Sequence, residues 1–430
     1  MNITNKKLFF VTLGCRVNDF ETNRIKQAAI ENKCKIVDAF ETADIAIINT
    51  CCVTNKAMSK SKYFIRKVNK AKKIKLVVVC GCFSQYNQDY DEEKVGIIIG
   101  TKYKSKLIDL IKKYDGKKIV KVDDVMKENN FETSHETCEF SKTRSICKIQ
   151  DGCNFNCTYC IIPYVRGKQR SLSHKIIIED IKKMIDKNIK EIVLTGVNTS
   201  GYDDGKINFY ELLKKINKMD GDFRVRISSL EPFQINEKIL DIITNNKKRW
   251  CQSFHLCLQS ANDEILKEMN RKYAFDSFKQ LCMYIRKKSI DASITTDYIV
   301  GFPTETNERF SDGCKNLESL KLSNIHIFPF SSHKNTPASK LKNIVSDTQK
   351  SLRFKVIENI NKKNRNAYLH SMINKTANVL FEQTKDKQYQ NGHSEYFFKV
   401  YVKTTKDLSK KQSCVKLQKI FRDGVLGIIC

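Results

Sequence analysis

Ser145-Ile-Cys-Lys-Ile-Gln150 runs through Asp151 and Gly152 into Cys153-Asn-Phe-Asn-Cys157-Thr-Tyr159-Cys160. The first six residues have the length and composition of a buried strand, and the C-x3-C-x2-C array falls on the loop after it. Three thiolates so close together can grip three irons of a cubane cluster, because soft sulfur suits iron–sulfur clusters and zinc alike. The loop offers no fourth cysteine, so one iron keeps an open position for a substrate. A structural zinc site, by contrast, wants four closed ligands.

Working outward, Ser145–Gln150 opens an alternating series. Its further strand candidates are Glu191–Leu194, Val225–Ser228, Phe254–Leu258, Ser293–Val300 and Ile325–Phe328. Helical patterns such as Lys175–Lys187, Asn208–Met219 and Phe275–Lys288 lie between them. Six β/α units predict a (β/α)6-type partial barrel over 145–368, whose chemistry collects at the C-terminal ends of the strands. Thr195, Asn198, Ser228, Glu231, Gln259, Asp297 and Pro329 stand at those ends and are candidate contacts for a small ligand. All five prolines of the chain (Pro163, Pro232, Pro303, Pro329, Pro337) fall in this segment, each just past a strand or motif, which marks loops whose shape matters.

Upstream, LFFVTLG, IAIINT, KLVVVCG and VGIIIG alternate with helical patterns, which predicts an open parallel α/β sheet over 1–120. The strand–helix pattern ends near Tyr114. The stretch from Asp115 to Arg144 is charged and aperiodic, and 121–144 reads as a linker. Cys15, Cys51 and Cys82 each follow a different one of these strands, and in an open sheet such ends line one crevice. Their shared placement points to a second metal cluster with an open position. Cys52 and Cys80 rival them, since strand alternation can put Cys80 and Cys82 on one face. Cys34, Cys138, Cys147, Cys251, Cys257, Cys282, Cys314, Cys414 and Cys430 show no ligand spacing and read as packing or surface thiols. Downstream, a helical stretch from Ser346 to Leu369 leads into NVLFE, EYFFKVYV and SCVKLQKI, a small β module over 369–430.

Composition sets the partners. Of 430 residues, 77 are Lys or Arg and 48 are Asp or Glu, a formal charge of +29 that favours a polyanion such as nucleic acid. The low Gly and Pro counts, 16 and 5, together with abundant Lys, Asn and Ile, assign part of that charge to compositional bias. The start MNITNKKLFFVTLGC holds too short an apolar run for a secretory signal, and no stretch approaches the ~18 apolar residues of a membrane helix. A cytosolic protein is expected. There, 17 cysteines mean metal or redox chemistry and not a disulfide framework. Arg166, Lys168 and Arg170 suit phosphate contacts or, equally, an ordinary solvated face; Phe381, Tyr396 and Phe398 suit stacking on bases, although strand aromatics more often fill a core.

C-x3-C-x2-C after the first barrel strand, with Tyr159 between the last two cysteines, resembles the radical S-adenosylmethionine (SAM) enzymes. TLGCRVNDFET, INTCCVTN, CGCFSQ, IQDGCNFNCTYCIIPYVRGKQRS, EIVLTGVN, RISSLEP, HLCLQSANDEILKEMNRKY, TTDYIVGFPTET and FPFSSHKNTPA are similar to the methylthiotransferases of that superfamily over about residues 8 to 400. The resemblance implies two 4Fe-4S clusters, a radical cluster on Cys153, Cys157 and Cys160 and an auxiliary one on Cys15, Cys51 and Cys82. It also implies SAM held by Tyr159, Asn198, Ser228, Glu231, Gln259 and Asp297, and a C-terminal TRAM-like β-barrel. TLGC-x-VN with a nearby ET is similar to the enzymes that methylthiolate C2 of N6-threonylcarbamoyladenosine at position 37 of tRNA, next to the anticodon. A small electron donor such as flavodoxin or ferredoxin is implied as partner. The alternatives are the isopentenyladenosine tRNA enzyme, whose start is GCQMN-like, and the ribosomal-protein aspartate enzyme, which the net charge disfavours. A non-catalytic metal-binding RNA-binding protein is more remote, since it needs neither an open iron nor a nucleoside-binding rim. The chain departs from the family at Cys257 and Ala261, in place of proline and glycine, and at Asn335, in place of glycine.

Overall fold

The computed structural model describes residues 1–132, 143–384, 386 and 388–430. Cys138 and residues 133–142 of the linker expected over 121–144 lie outside the described residues. The chain forms two compact units. One comprises Met1–Ser141, Gln150–Leu172 and Ser331–Ser339, and the other Lys142–Ile149, Ser173–Phe330 and Lys340–Cys430.

The first unit is built on six parallel strands: β1 (Lys7–Thr12), β2 (Lys35–Val37), β3 (Ile45–Thr50), β4 (Leu76–Gly81), β5 (Val95–Ile99) and β6 (Ile119–Lys121), in the order β2-β1-β3-β4-β5-β6. Ile119–Lys121 thus closes one edge of the sheet, although its charged surroundings read as aperiodic. β3, β4 and β5 are buried along their whole length, as near-continuous Ile/Val runs in a two-faced parallel sheet must be. Ile47, Val78 and Ile97 serve one face and Ile48, Val79 and Ile98 the other. Helix α1 (Arg16–Glu31) buries Val17, Glu21, Ile25 and Ala29, an i, i+4 stripe. Helix α2 (Asn55–Asn69) is capped by Thr54, whose side chain accepts from the Ala57 amide. Three shorter helices complete the unit: α3 (Cys82–Tyr86), α4 (Leu107–Lys113) and α5 (Ile162–Arg166).

The second unit holds the expected partial barrel. Strands Ser145–Lys148, Glu191–Thr195 and Arg224–Ile227 form one parallel sheet, and Ser229–Leu230, Ser253–Leu256, Ser293–Val300 and Asn324–Pro329 another. Backbone bonds from Val225 to Arg249 and from Cys251 to Val225 join the two sheets. Helices such as His174–Asp186, Phe209–Asn217, Glu237–Asn245, Phe275–Lys288 and Asn307–Ser319 intervene. Buried Glu191 gathers Arg144, Arg224 and Arg226 at N–O distances of 2.6–2.8 Å. Arg224 and Arg226 also donate to the carbonyls of Asn378, His393 and Ser394.

Those carbonyls belong to the C-terminal module, a closed five-stranded barrel of Thr376–Phe381, Tyr389–Ser394, Lys399–Lys403, Gln412–Phe421 and Gly424–Ile429. Phe381 and Phe398 take the core alternative: both pack with Val379, Val400 and Val415, so neither ring is free to stack on a base. Tyr396 is half-buried and lies parallel to Phe398, at 6.3 Å between ring centres.

Candidate iron–sulfur and nucleoside site

Three adjacent strands of the first unit, β1, β3 and β4, deliver Cys15, Cys51 and Cys82 just past the same edge of the sheet. The registers Thr12↔Asn49 and Thr50↔Gly81 align the strand ends, and each cysteine follows within three residues. Glycine makes the approach possible. Gly14 has φ +96°, and a Cβ there would stand 2.7 Å from the Cys51 Sγ. Gly81 has φ +103°, and its Cβ would meet Asn49 Oδ1 at 2.5 Å and Thr50 O at 2.6 Å. Ser61 braces Cys51, accepting from its amide at 3.2 Å and donating to its carbonyl at 3.0 Å. Burial pushes the Cys51 thiol up to about 12, and the charges of Cys82 and Cys15 add to the shift while Arg166 opposes it. Cys80 is fully buried in the sheet's hydrophobic core beside Ile47 and Val78. Cys52 is also fully buried, packed with Phe83, Ile161 and Val165.

The Cys153–Cys160 loop belongs to the same unit. Gln150–Asp151 pairs antiparallel with Arg170–Ser171, and the Cys153 amide donates to Gly167 O at 3.1 Å. Gly152, at φ +68°, lies where a Cβ would collide with Lys168 O at 2.0 Å. The Cys160 amide donates to Cys157 O, closing a turn that leaves Cys153, Cys157 and Cys160 half-buried. Tyr159 is half-buried on this loop. The Ala338 amide donates to Thr158 O at 2.8 Å, which ties 331–339 to it. Ile161 and Val165 then pack against Cys82 and Phe83. The Cys153–Cys160 loop supplies three thiols, the ends of β1, β3 and β4 supply Cys15, Cys51 and Cys82 with Cys52 packed beside Cys82, and glycines hold both sets in place; this donor chemistry fits a cubane cluster on three thiolates.

Arg166 requires a correction. It is 1% exposed and donates to Glu21 at 2.9 Å, to Asp151 at 3.1 Å and to Asn18 at 2.7 Å, so it is not available for phosphate. Arg170 turns back onto the Arg166 and Lys168 carbonyls at 3.0 Å each. Of the three basic residues only Lys168 is exposed. Around Arg166 lies a buried polar network of Asn18, Glu21, Asn49, Lys104 and Asp151 that sequence reasoning missed. Its one sequence signal was polar Asn49-Thr50 at the end of an otherwise apolar strand.

In the second unit the strand-end residues form a linked band. The Ser228 hydroxyl donates to Leu194 O at 2.9 Å and to Thr195 Oγ1 at 3.2 Å, and it lies 3.2 Å from Thr199 Oγ1, one residue after buried Asn198. Ser200 Oγ accepts from the Glu231 amide at 2.9 Å. Burial raises the Glu231 carboxyl, against the paired Arg271 guanidinium at 2.5 Å. Asp297 lies 3.3 Å from His255 Nε2; burial opposes its charge, but His255 and His326 hold it below the usual carboxylate range. Gln259, at φ +70°, donates its amide to Asp297 O and accepts from the Ile299 amide. Donor atoms of His255, Cys257 and Asp297 lie within 4.8 Å of one another. Pro329 ends its strand exposed.

Fold and cysteines together define a radical SAM protein, and the Radical SAM superfamily model matches residues 147–315. An uncharacterized family, UPF0004, matches residues 7–100. The chain is 32% identical to the threonylcarbamoyladenosine tRNA methylthiotransferase MtaB of Bacillus subtilis, over 95% of this chain and 93% of that one. It is 34% identical to the enzyme of that name from Aquifex aeolicus, over 87% and 92%. It is 33% identical to the tRNA-2-methylthio-N(6)-dimethylallyladenosine synthase of Clostridium novyi, over 84% and 82%. Among solved structures, the radical SAM methyltransferase TsrM from Kitasatospora setae shares the fold, with a TM-score of 0.55 at 12% identity over 78% of this chain and 77% of that one. The chain belongs to the radical SAM methylthiotransferases, of the MtaB type. A 4Fe-4S cluster and SAM come with that membership. No helix among the described residues is long and apolar enough to cross a membrane.

Proposed function

We propose that this enzyme replaces the C2 hydrogen of N6-threonylcarbamoyladenosine with a methylthio group, at position 37 of tRNA and in the cytosol. The observation that carries the reading is the convergence of Cys15, Cys51 and Cys82 on one sheet edge, in a unit that also holds Cys153, Cys157 and Cys160. Breaking an unactivated aromatic C–H bond lies beyond side-chain acid–base chemistry. The chemistry supplied by the bound cofactors is a SAM-derived carbon radical and a methylated sulfur.

The chain's own residues do the holding. Cys153, Cys157 and Cys160 anchor one cluster and leave an iron open to SAM, while Cys15, Cys51 and Cys82 anchor an auxiliary one. Asn198, Ser228, Glu231, Gln259 and Asp297 line the barrel strand ends as contacts for SAM, and Tyr159 lies on the cysteine loop. The Glu231–Arg271 and Asp297–His255 pairs keep those carboxylates oriented. Exposed Lys168 and the overall +29 charge favour a polyanionic substrate. A small protein reductant delivers electrons to both clusters.

Anaerobic iron, sulfide and zinc analysis tests the reading. Iron and sulfide for two cubane clusters per chain are expected; one cluster, or zinc alone, overturns it.

A further inference from the structure

The buried network around Arg166 takes no part in the mechanism above, yet it reaches the segments just ahead of Cys15, Cys51 and Cys153. The Arg166 fork donates to Glu21 through both terminal nitrogens, at 2.9 and 3.2 Å, to Asp151 at 3.1 Å and to Asn18 Oδ1 at 2.7 Å. Asn18 in turn donates to Leu13 O at 2.7 Å and Thr50 O at 3.0 Å, the residues two before Cys15 and one before Cys51. Asp151 accepts from the Gly152 amide at 2.8 Å, just ahead of Cys153. Lys104 closes the far side, ion-paired with Glu21 and 3.1 Å from Asn49 Oδ1. Arg166 itself ends helix α5, whose Val165 packs in one cluster with Cys82.

We propose that Arg166 is a positioning residue for the auxiliary triad: its guanidinium locks the Cys15, Cys51 and Cys153 segments into one frame and supplies the buried positive charge under which a cluster on Cys15, Cys51 and Cys82 is reduced. The inference rests on the two-cluster reading. A planar fork suits the task because it serves three acceptors in fixed directions, which an ammonium does not. A cluster on three thiolates is net anionic when reduced, so a fixed cation beside it favours reduction.

The test is an EPR-monitored redox titration of the full chain in a Cys157→Ala background, where the signal belongs to the auxiliary cluster. Arg166→Met shifts the reduction equilibrium at least tenfold toward the oxidised form, a fall of about 59 mV or more for one electron. Glu21→Gln, which removes a negative charge from the same network, shifts it the opposite way, and Arg166→Lys restores most of the Arg166→Met shift. A role confined to packing produces no such opposed shifts. Should Arg166→Met fail to fold, the opposite shift in Glu21→Gln still decides. An auxiliary cluster present with an unchanged potential in Arg166→Met and Glu21→Gln overturns the inference alone. A Cys157→Ala protein without any cluster overturns the two-cluster reading and the inference with it.

Discussion

Gly14 and Cys51 are in such close approach that a Cβ on Gly14 would stand 2.7 Å from the Cys51 Sγ, with Gly14 at φ +96°. Two constraints thus fall on one residue: a backbone conformation that L side chains rarely adopt, and a neighbour that cannot yield without leaving the triad. Gly14→Ala is expected to cost about 1–3 kcal/mol and to lower iron by one cluster per chain. Iron analysis beside thermal unfolding checks this, and full iron in a stable variant would contradict it.

On the two-cluster proposal, the two cysteine sets divide the labour. Cys157→Ala is expected to abolish reductive cleavage of SAM, whereas Cys51→Ala leaves cleavage measurable and stops methylthio transfer. A 5′-deoxyadenosine assay run beside product analysis separates them. Equal behaviour of the two variants would remove the distinction between radical and auxiliary clusters.

Glu191 is the one carboxylate shared by Arg144, Arg224 and Arg226 at the N-terminal end of its strand. The arginine charges hold it well below the usual carboxylate range against the effect of burial. Glu191→Ala leaves the buried Arg224 and Arg226 guanidiniums without that counter-ion, at a cost of about 3–5 kcal/mol. Because Arg224 and Arg226 also bind carbonyls of the C-terminal barrel, the loss is expected to loosen that barrel, read as faster amide exchange in strands Thr376–Phe381 and Tyr389–Ser394.

Glu382 gives a pH signature. Burial opposes its ionisation, but the hydrogen bond from His393 at 3.1 Å and the Arg144 charge prevail and bring the carboxyl down to about 2, from 4.5. A depressed carboxylate stabilises the fold fully above its unfolded pKa and loses that contribution as pH falls from 4.5 toward 2. Denaturant unfolding near neutral pH and at about pH 3 is expected to show a larger acid loss in the wild type than in Glu382→Gln. Equal losses would contradict the assignment.

Much of the site was legible in the sequence because its signals are local. Cysteine spacing on one loop, and cysteines following three apolar strands, need no tertiary knowledge, and the barrel strands from Ser293–Val300 to Asn324–Pro329 lie where alternation put them. What escaped depends on burial. Arg166-Gly-Lys168-Gln-Arg170 reads as a basic surface, yet Arg166 turns inward because Glu21 and Asp151, distant in sequence, meet it there. Tyr389–Ser394 carries polar residues and Gly392, so no alternation announces a strand; pairing on both sides makes it one. Phe381 and Phe398 carry the same letters whether they stack on bases or fill a core, and closure of the small barrel decides for the core.

The most direct test of the account is nucleoside mass spectrometry of total tRNA from a host lacking its own enzyme, with and without this gene. The account predicts that 2-methylthio-N6-threonylcarbamoyladenosine appears only when the gene is present. The isopentenyl counterpart in its place would keep the chemistry and contradict the substrate, and no methylthiolated adenosine from a protein with both clusters loaded would contradict the tRNA reaction itself.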